Sequence, residues 1–198
     1  MKNLDNLGRI ILASQSPRRK YILKKINLDF KVIPSDIIED FDETSPSTLV
    51  QTCAFEKAKK VSMDNLNNLV IGADTVVVLD KIIMGKPRNV NESREMLCML
   101  SGKTHKVFTG VSIQNINKNI NELFYSMTEV ELHIIPDNII NYYIKNYEPY
   151  DKAGSYGIQD WFSSQIKKIN GCYYNVMGLP LSKVFKCLYD LSVNNLND

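Results

Sequence analysis

The sequence is poor in histidine and cysteine, and the few of each are scattered. Its 198 residues contain two histidines and four cysteines, and no two cysteines have C-x-x-C spacing. This scarcity argues against a zinc knuckle, a redox motif, a disulfide scaffold and a histidine-rich metal site. We therefore expect reduced thiols in a cytoplasmic protein whose chemistry depends on other side chains.

Long apolar runs and an excess of one charge are also missing. No segment approaches the ~20 apolar residues that cross a bilayer, and the opening MKNLDNLGR lacks the apolar middle of a signal peptide. The 24 lysines and arginines nearly balance the 22 aspartates and glutamates, for a net charge of +2. We expect neither nucleic acid nor a membrane as a partner, so any anion must be recognised locally.

Two common nucleotide-binding signatures are absent or incomplete. G-x-G-x-x-G does not occur, and SGKT at 101–104 is not a P-loop because Leu97 stands where the first glycine belongs. A Ser-His-Asp triad would need His105 or His133, and no G-x-S-x-G elbow supports it. These absences argue against a P-loop ATPase and a serine hydrolase.

What is present is an alternation of short apolar strands with amphipathic helices. Strands are predicted at 10–13, 30–33, 69–79 with Asp74 at a break, 105–115 and 122–135. Helices are predicted from Pro17, from Pro46, over 91–100, after Pro136 and after Pro180. The dipeptide Asn170-Gly171 predicts a two-residue hairpin turn. Because these elements do not repeat as βαβ units, we predict an α/β fold with a mixed, strongly twisted central sheet and flanking helices.

The segment SQSPRRK, residues 14–20, lies where the first predicted strand ends and a helix begins. Ser16 is a good N-cap, and Pro17 suits the first helical position. Unpaired N–H groups and the helix dipole make such a junction suitable for an anion. The alternative is a plain helix cap followed by a solvated face, which we expect to hold Arg19 and Lys20.

Carboxylates and lysines occur in a second set of motifs. IGADTVV places Asp74 among apolar residues, where a carboxylate is costly unless it is hydrogen-bonded, ion-paired or bound to metal. The alternative is a turn aspartate at a strand end. The acidic segment 36–43 offers a second carboxylate, MGKPR presents Lys86, and EPYDKAGSYGIQ is a glycine-punctuated loop. Each has a plain surface alternative, but together they fit a phosphate-rich substrate with a divalent cation.

The helix predicted from Pro46 carries three lysines and an apolar stripe. Its apolar residues recur with helical spacing from Leu49 to Val61. We expect Lys57, Lys59 and Lys60 to lie largely off that stripe.

Seven motifs resemble those of the Maf family, septum-formation proteins that are nucleoside triphosphate pyrophosphatases. LASQSPRRK, EKAKKV, IGADTVV, GKP, LSGKTHKV, EPYDKAGSYGIQ and VMGLPLSK occur in the family's order and spacing, over almost the whole chain. The resemblance implies a single Maf-like domain over 1–198, with two lobes around a cleft. It also implies hydrolysis of a nucleoside triphosphate to the monophosphate and pyrophosphate, and a homodimer.

The resemblance also implies roles for individual residues. Asp74 matches the family's catalytic aspartate, which also holds the metal. Glu39 falls where the second metal-holding carboxylate lies, with Asp40 as the alternative, and the cofactor is Mg²⁺ or Mn²⁺. The substrate-binding positions of the family are matched by Ser14, Arg18, Lys57, Thr75, Lys86 and Gln159.

Three of these positions indicate a subgroup. Arg18, Thr75 and Gln159 match members that act on dTTP and UTP, whereas members that act on 7-methyl-GTP carry Trp, Gln and Glu. An amide such as that of Gln159 offers both a donor and an acceptor to a pyrimidine edge. The alternatives are a member acting on another nucleotide such as 7-methyl-GTP, and a nucleotide-binding regulator of cell division without turnover.

Two residues depart from the family's pattern. Asp160 and Trp161 follow YGIQ, where glycine is more usual. We therefore expect a different pocket rim at this point. Trp161 either stacks on a base or covers the core.

Overall fold

A computed structural model describes residues 4–37 and 45–194 of the chain. Its strands are β1 (Ile10–Leu12), β2 (Phe30–Val32), β3 (Leu69–Leu79), β4 (Ile82–Met84), β5 (Thr104–Asn115), β6 (Ile120–Leu132) and β7 (Ile166–Asn170). Its helices are α1 (Pro17–Lys24), α2 (Pro46–Ser62), α3 (Val90–Leu100), α4 (Asp137–Tyr147), α5 (Tyr173–Val176) and α6 (Leu181–Asn194). Short 3-10 helices occupy Leu4–Leu7, Pro149–Asp151, Ala153–Ser155 and Trp161–Gln165. Over these described ranges, every helix is too short or too polar to cross a bilayer.

The strands form one mixed sheet. Its order is β2-β1-β3-β5-β6-β7, and β4 pairs with β3 off this path. β1 is parallel to both β2 and β3, and aligns Ile10 with Phe30 on one side and with Leu69 on the other. β4 is antiparallel to β3, and β7 is antiparallel to β6. The predicted α/β fold with a mixed sheet and flanking helices is confirmed.

Strand β3 runs through Asp74 without a break. Ten of its eleven residues are buried, and Thr75 is half-buried. A nearly continuous apolar strand of this kind is typical of a sheet interior that is covered on both faces. The alternative that Asp74 is a turn residue at a strand end is therefore wrong.

Helix α2 packs against β3 at a glycine. A Cβ atom on Gly72 would lie 2.4 Å from the carbonyl oxygen of Ala54 and 2.7 Å from the backbone nitrogen of Ala58. A larger residue would therefore have to push the helix away. Because alternate residues of a strand point to the same face, Asp74 lies on the face that carries Gly72. The close approach thus brings Lys57, which precedes Ala58 on α2, towards Asp74.

The hairpin predicted at Asn170-Gly171 is wrong. The first half exists as β7, but Tyr173–Val176 is helical rather than extended. The Asn175 side chain is buried and donates a hydrogen bond to Thr128 Oγ1 at 3.0 Å. Thr128 Oγ1 also accepts the Cys172 N–H at 3.0 Å. These hydrogen bonds to Thr128 favour a helical turn after Gly171. The Asn170-Gly171 dipeptide alone does not reveal them.

The chain divides into two compact units. The first comprises Met1–Asp74, Thr109–Ser126 and Gly178–Asp198, and the second comprises Thr75–Phe108 and Met127–Met177. Of the predicted substrate-binding and catalytic residues, Ser14, Arg18, Lys57 and Asp74 belong to the first unit, and Thr75, Lys86 and Gln159 to the second.

Candidate active site

The loop between β1 and α1 folds around the buried hydroxyl of Ser14. Ser14 Oγ accepts hydrogen bonds from the Ser16 N–H at 3.2 Å and from Arg19 Nη1 at 3.1 Å. Ser16 is the N-cap of α1, and its Oγ accepts the Arg19 N–H at 3.5 Å. Pro17 is the first helical residue. The predicted cap is confirmed, and it belongs to a loop whose shape is set by side chains.

Arg19 does not lie on a solvated face, so the expectation for this residue is wrong. Its Nε donates to the carbonyl oxygen of Gly178 at 2.8 Å, while Nη1 donates to Ser14. The planar guanidinium satisfies both acceptors because its donors point in fixed, divergent directions. Arg19 therefore ties the loop before α1 to the VMGLPLSK segment before α6. Lys20 is exposed, as expected.

Replacing Arg19 by glutamine is expected to lower the free energy of unfolding by about 1.5–3 kcal/mol, the value typical of a hydrogen bond to a charged group. The shorter neutral side chain cannot reach both Ser14 and Gly178. Denaturant titration followed by circular dichroism measures the change. Lys20→Gln, one residue away and exposed, is the matched control and should leave stability within about 0.5 kcal/mol of the original. Equal stability of the two variants would contradict a structural role for Arg19.

A buried ion pair joins α2 to β3. Lys57 Nζ donates to Asp74 Oδ1 at 2.7 Å, and the two side chains are only 9% and 12% exposed. Their attraction is stronger there than in bulk water because the surroundings are less polarisable. The structure thus brings together two residues that the sequence places in separate motifs.

The burial of Lys57 corrects the expectation that it lies off the apolar stripe of α2. Cys53, Lys57 and Val61 are four residues apart and share one helical face, and all three are buried. Lys59 and Lys60 are exposed, as expected. The four-residue spacing is the sequence signal by which Lys57 could have been assigned to the buried face.

In the second unit, the loops that carry Lys86 and Gln159 are tied together. The Gly154 N–H donates to the carbonyl oxygen of Gly85 at 3.0 Å. Gly154 has φ +66°, and a Cβ atom there would lie 2.8 Å from a methyl group of Val77. The glycine is therefore required both for its backbone conformation and for the close approach. Lys86 and Gln159 are themselves exposed.

Arg18 and Thr75 are half-buried. Arg18 is the second residue of α1 and directly precedes Arg19. Thr75 follows Asp74 on β3, and consecutive strand residues point to opposite faces. The side chain of Thr75 is therefore directed away from the face of β3 on which α2 packs.

The Asp74 carboxylate could contribute one ligand to a hard divalent cation, whose other ligands would come from substrate and water. Asp74 Oδ1 is bonded to Lys57, and a carboxylate has further lone pairs, including those of Oδ2. Mg²⁺ is typically bound through one or two carboxylates together with substrate phosphates. In the part of the chain that the structure describes, no three His, Cys, Asp or Glu side chains gather as a metal site. Glu39 and its alternative Asp40 lie outside the described residues.

His105 is a buried structural residue. Its Nε2 lies 2.7 Å from the hydroxyl oxygen of Tyr156. Burial lowers the pKa of His105 to about 4, so the imidazole is neutral near pH 7.

Trp161 packs on the tyrosines of α4. Its ring centroid lies 5.2 Å from that of Tyr142, 6.2 Å from that of Tyr143 and 6.0 Å from that of Tyr147. Trp161 therefore covers neighbouring aromatic side chains, and its stacking on a base stays a prediction.

Comparison with known proteins assigns the chain to a family. Residues 9–191 match the family model described as Maf-like protein. The chain belongs to the Maf family. A dTTP/UTP pyrophosphatase of Bacillus cereus is 43% identical to this Maf protein over 98% of this chain and 95% of its own length. Another, from Thermosipho africanus, is 45% identical over 92% and 93%.

A solved structure resembles this Maf protein in part. It is the crystal structure of a nucleoside-triphosphatase (dITP/XTP pyrophosphatase) from Mycobacterium abscessus, with a TM-score of 0.44 and 12% identity. The alignment covers 65% of this chain and 76% of that chain.

The family assignment leaves the roles of individual residues as predictions. Maf pyrophosphatases generally use a divalent metal ion. The predictions still to be tested in this Maf protein concern Asp74, Glu39, Ser14, Arg18, Lys57, Thr75, Lys86 and Gln159. The sequence did not predict the structural role of Arg19, because its acceptor, the carbonyl oxygen of Gly178, is 159 residues away in the chain.

Proposed function

We propose that this protein is a cytoplasmic nucleoside triphosphate pyrophosphatase that hydrolyses dTTP and UTP to the nucleoside monophosphate and pyrophosphate. The observation that carries the proposal is the buried pair of Lys57 and Asp74, which holds a carboxylate in a defined position inside β3. The relatives named dTTP/UTP pyrophosphatases support the choice of substrate. The wide spacing of the four cysteines along the sequence suits a reducing compartment.

In the proposed reaction, water attacks the α-phosphorus. The new bond joins the water oxygen to that phosphorus, and the bond to the oxygen that bridges to the β-phosphorus breaks. Asp74 accepts a hydrogen bond from the water and takes its proton. Lys57 holds Oδ1 of Asp74 at 2.7 Å, so the carboxylate is oriented before the substrate arrives.

The cations and hydroxyls bind the phosphates. Arg18 and Lys86 stabilise the pyrophosphate, whose negative charge grows as the bridging bond breaks. Ser14 and the first N–H groups of α1 supply further donors near Arg18. Asp74 and either Glu39 or Asp40 would hold a Mg²⁺ or Mn²⁺ ion, which would neutralise part of the negative charge of the phosphates.

Gln159 and Thr75 recognise the base. The primary amide of Gln159 offers an acceptor and two donors, so it can pair with the carbonyl and imide groups of thymine or uracil. A glutamate in its place would only accept, and would repel the same carbonyl oxygen.

A substrate panel tests the proposal. Pyrophosphate release is measured from dTTP, UTP, CTP and 7-methyl-GTP, each with and without Mg²⁺. We expect dTTP and UTP to be hydrolysed fastest and only with the metal. A preference for 7-methyl-GTP would overturn the proposed substrate. Binding of all four without release would instead favour a nucleotide-binding regulator.

The homodimer implied by the family resemblance stays a proposal. Light scattering coupled to size-exclusion chromatography measures the mass in solution, and a value near 22.6 kDa would contradict it.

A further inference from the structure

One hydroxyl group is hydrogen-bonded to the chain on both sides of Gln159. The Tyr143 hydroxyl on α4 accepts the Gly157 N–H at 3.1 Å. The same hydroxyl donates to the carboxylate of Asp160, with distances of 3.2 Å to Oδ1 and 3.1 Å to Oδ2. Gln159 lies between these two anchor points in the sequence. We call Tyr143, Gly157 and Asp160 the brace.

Tyr143 is a rigid and permanent member of the brace. Its side chain is fully buried, and its ring stacks on that of Tyr147 with centroids 5.3 Å apart. Burial and the charge of Asp160 raise the pKa of the Tyr143 hydroxyl far above its usual value. The hydroxyl therefore stays protonated and remains a donor to Asp160 throughout the pH range in which proteins are folded.

Gly157 allows the brace to close tightly. A Cβ atom on Gly157 would lie 2.3 Å from Asp160 Oδ2 and 2.9 Å from Gln159 Nε2. The carboxylate and the Gln159 amide thus both fold back over the glycine backbone. Any side chain at this position would push one of them out of place.

The brace also decides which way the turn faces. Ile158 is 2% exposed, whereas Gln159 is exposed. With Gly157 and Asp160 both held by Tyr143, the turn buries Ile158 and directs Gln159 outward. The chain around Gln159 is therefore held two residues earlier through the Gly157 N–H and one residue later through the Asp160 carboxylate.

Capping of the following 3-10 helix does not account for these contacts. Asp160 Oδ1 accepts the Phe162 N–H at 3.0 Å, which caps Trp161–Gln165. That cap needs neither the Tyr143 hydroxyl nor its bond to Gly157. The bond to α4 is an additional constraint, placed next to the residue proposed to read the base.

We propose that Tyr143 and Asp160 are positioning residues that set base specificity by holding Gln159 in one orientation. This inference rests on the proposed function, because it concerns the choice among pyrimidine nucleotides. Uracil and cytosine differ at the 4-position, where one has a carbonyl oxygen and the other an amino group. A mobile amide can turn either its oxygen or its nitrogen to that position, whereas a fixed amide accepts one of the two bases.

The test compares the specificity for UTP over CTP, as the ratio of kcat/KM values, in matched variants. Tyr143→Phe removes the brace hydroxyl and keeps the ring, and is expected to lower the ratio about 3- to 10-fold, the equivalent of one hydrogen bond. The change should come from a higher KM for UTP, with kcat nearly unchanged. Tyr147→Phe removes a hydroxyl from the neighbouring stacked ring and should leave the ratio unaltered.

Variants of Asp160 provide a second, independent measurement. Asp160→Asn keeps an acceptor oxygen for both Phe162 and Tyr143, and should retain most of the specificity. Asp160→Ala removes it and should match Tyr143→Phe. A fall in kcat/KM that is equal for UTP and CTP, or an unchanged ratio in both Tyr143→Phe and Asp160→Ala, would overturn the inference and leave the proposed function intact.

Failure of the proposed function gives a different result. If the unmodified protein releases no pyrophosphate from either nucleotide, the proposed function is wrong. The ratio of dissociation constants for UTP and CTP in the same variants then decides whether the brace sets base specificity. Thermal unfolding of each variant identifies any that fail to fold, and the Asp160 pair remains available if Tyr143→Phe does so.

Discussion

Replacing Asp74 by asparagine is expected to reduce pyrophosphate release from dTTP by about 100- to 10,000-fold, the usual contribution of a general base. The amide keeps the shape of the side chain but cannot take a proton from water at neutral pH, and it is a poor ligand for Mg²⁺. Steady-state assays of pyrophosphate release measure the loss. Binding of the triphosphate should persist, because the change removes a negative charge from an anion site.

The matched control for this variant is Asp80→Asn. Asp80 is exposed and has φ +54°, a conformation that asparagine adopts readily. We expect activity within a factor of two of the unmodified protein, as for most surface changes. Equilibrium dialysis with labelled dTTP tests binding to Asp74→Asn. Normal turnover by Asp74→Asn would exclude Asp74 both as the base and as a required metal ligand.

Replacing Lys57 by methionine is expected to lower both stability and activity. The change leaves the buried carboxylate of Asp74 without the ammonium that lies 2.7 Å away. Removing one partner of a buried ion pair commonly costs about 3–5 kcal/mol, because the remaining charge is uncompensated. Denaturant titration measures the loss of stability, and the dTTP assay measures the loss of rate.

A double variant separates the two effects of Lys57. Lys57→Met combined with Asp74→Asn leaves no buried charge, so we expect stability to recover by at least half of what the single change removes, while activity stays lost. Lys60→Met, on the exposed side of the same helix, is the control and should change neither quantity. If Lys57→Met alone kept full stability and rate, the ion pair would be irrelevant to both.

The order of elements was largely predictable because it depends on local chemistry. Ser16 and Pro17 mark the start of α1, and the apolar run from Leu69 marks β3, as the structure confirms. Helix caps, proline positions and hydrophobic periodicity act over a few residues, so they can be recognised in the sequence. The mixed character of the sheet followed from the same signals.

The predictions from sequence were wrong where a group distant in the chain competes with a local conformational preference. Asn170-Gly171 would suit a hairpin, but hydrogen bonds of the following segment to Thr128 curl the chain into α5. Arg19 looked solvated because its acceptor, the carbonyl group of Gly178, is far along the sequence. Periodicity carries no information about such long-range partners.

For the candidate site, the motifs of the chain were enough to select Asp74 and Lys57 as residues with a chemical role, since a carboxylate among apolar residues requires a partner. That they are partners of each other is visible only in the folded chain. The contact exists because Gly72 has no side chain, which lets α2 approach β3 closely enough for the ammonium to reach the carboxylate. Likewise, Gln159 was identified from its motif, whereas the brace on either side of it depends on Tyr143 of α4. Residue types and their spacing specify which groups are available, and packing determines which of them meet.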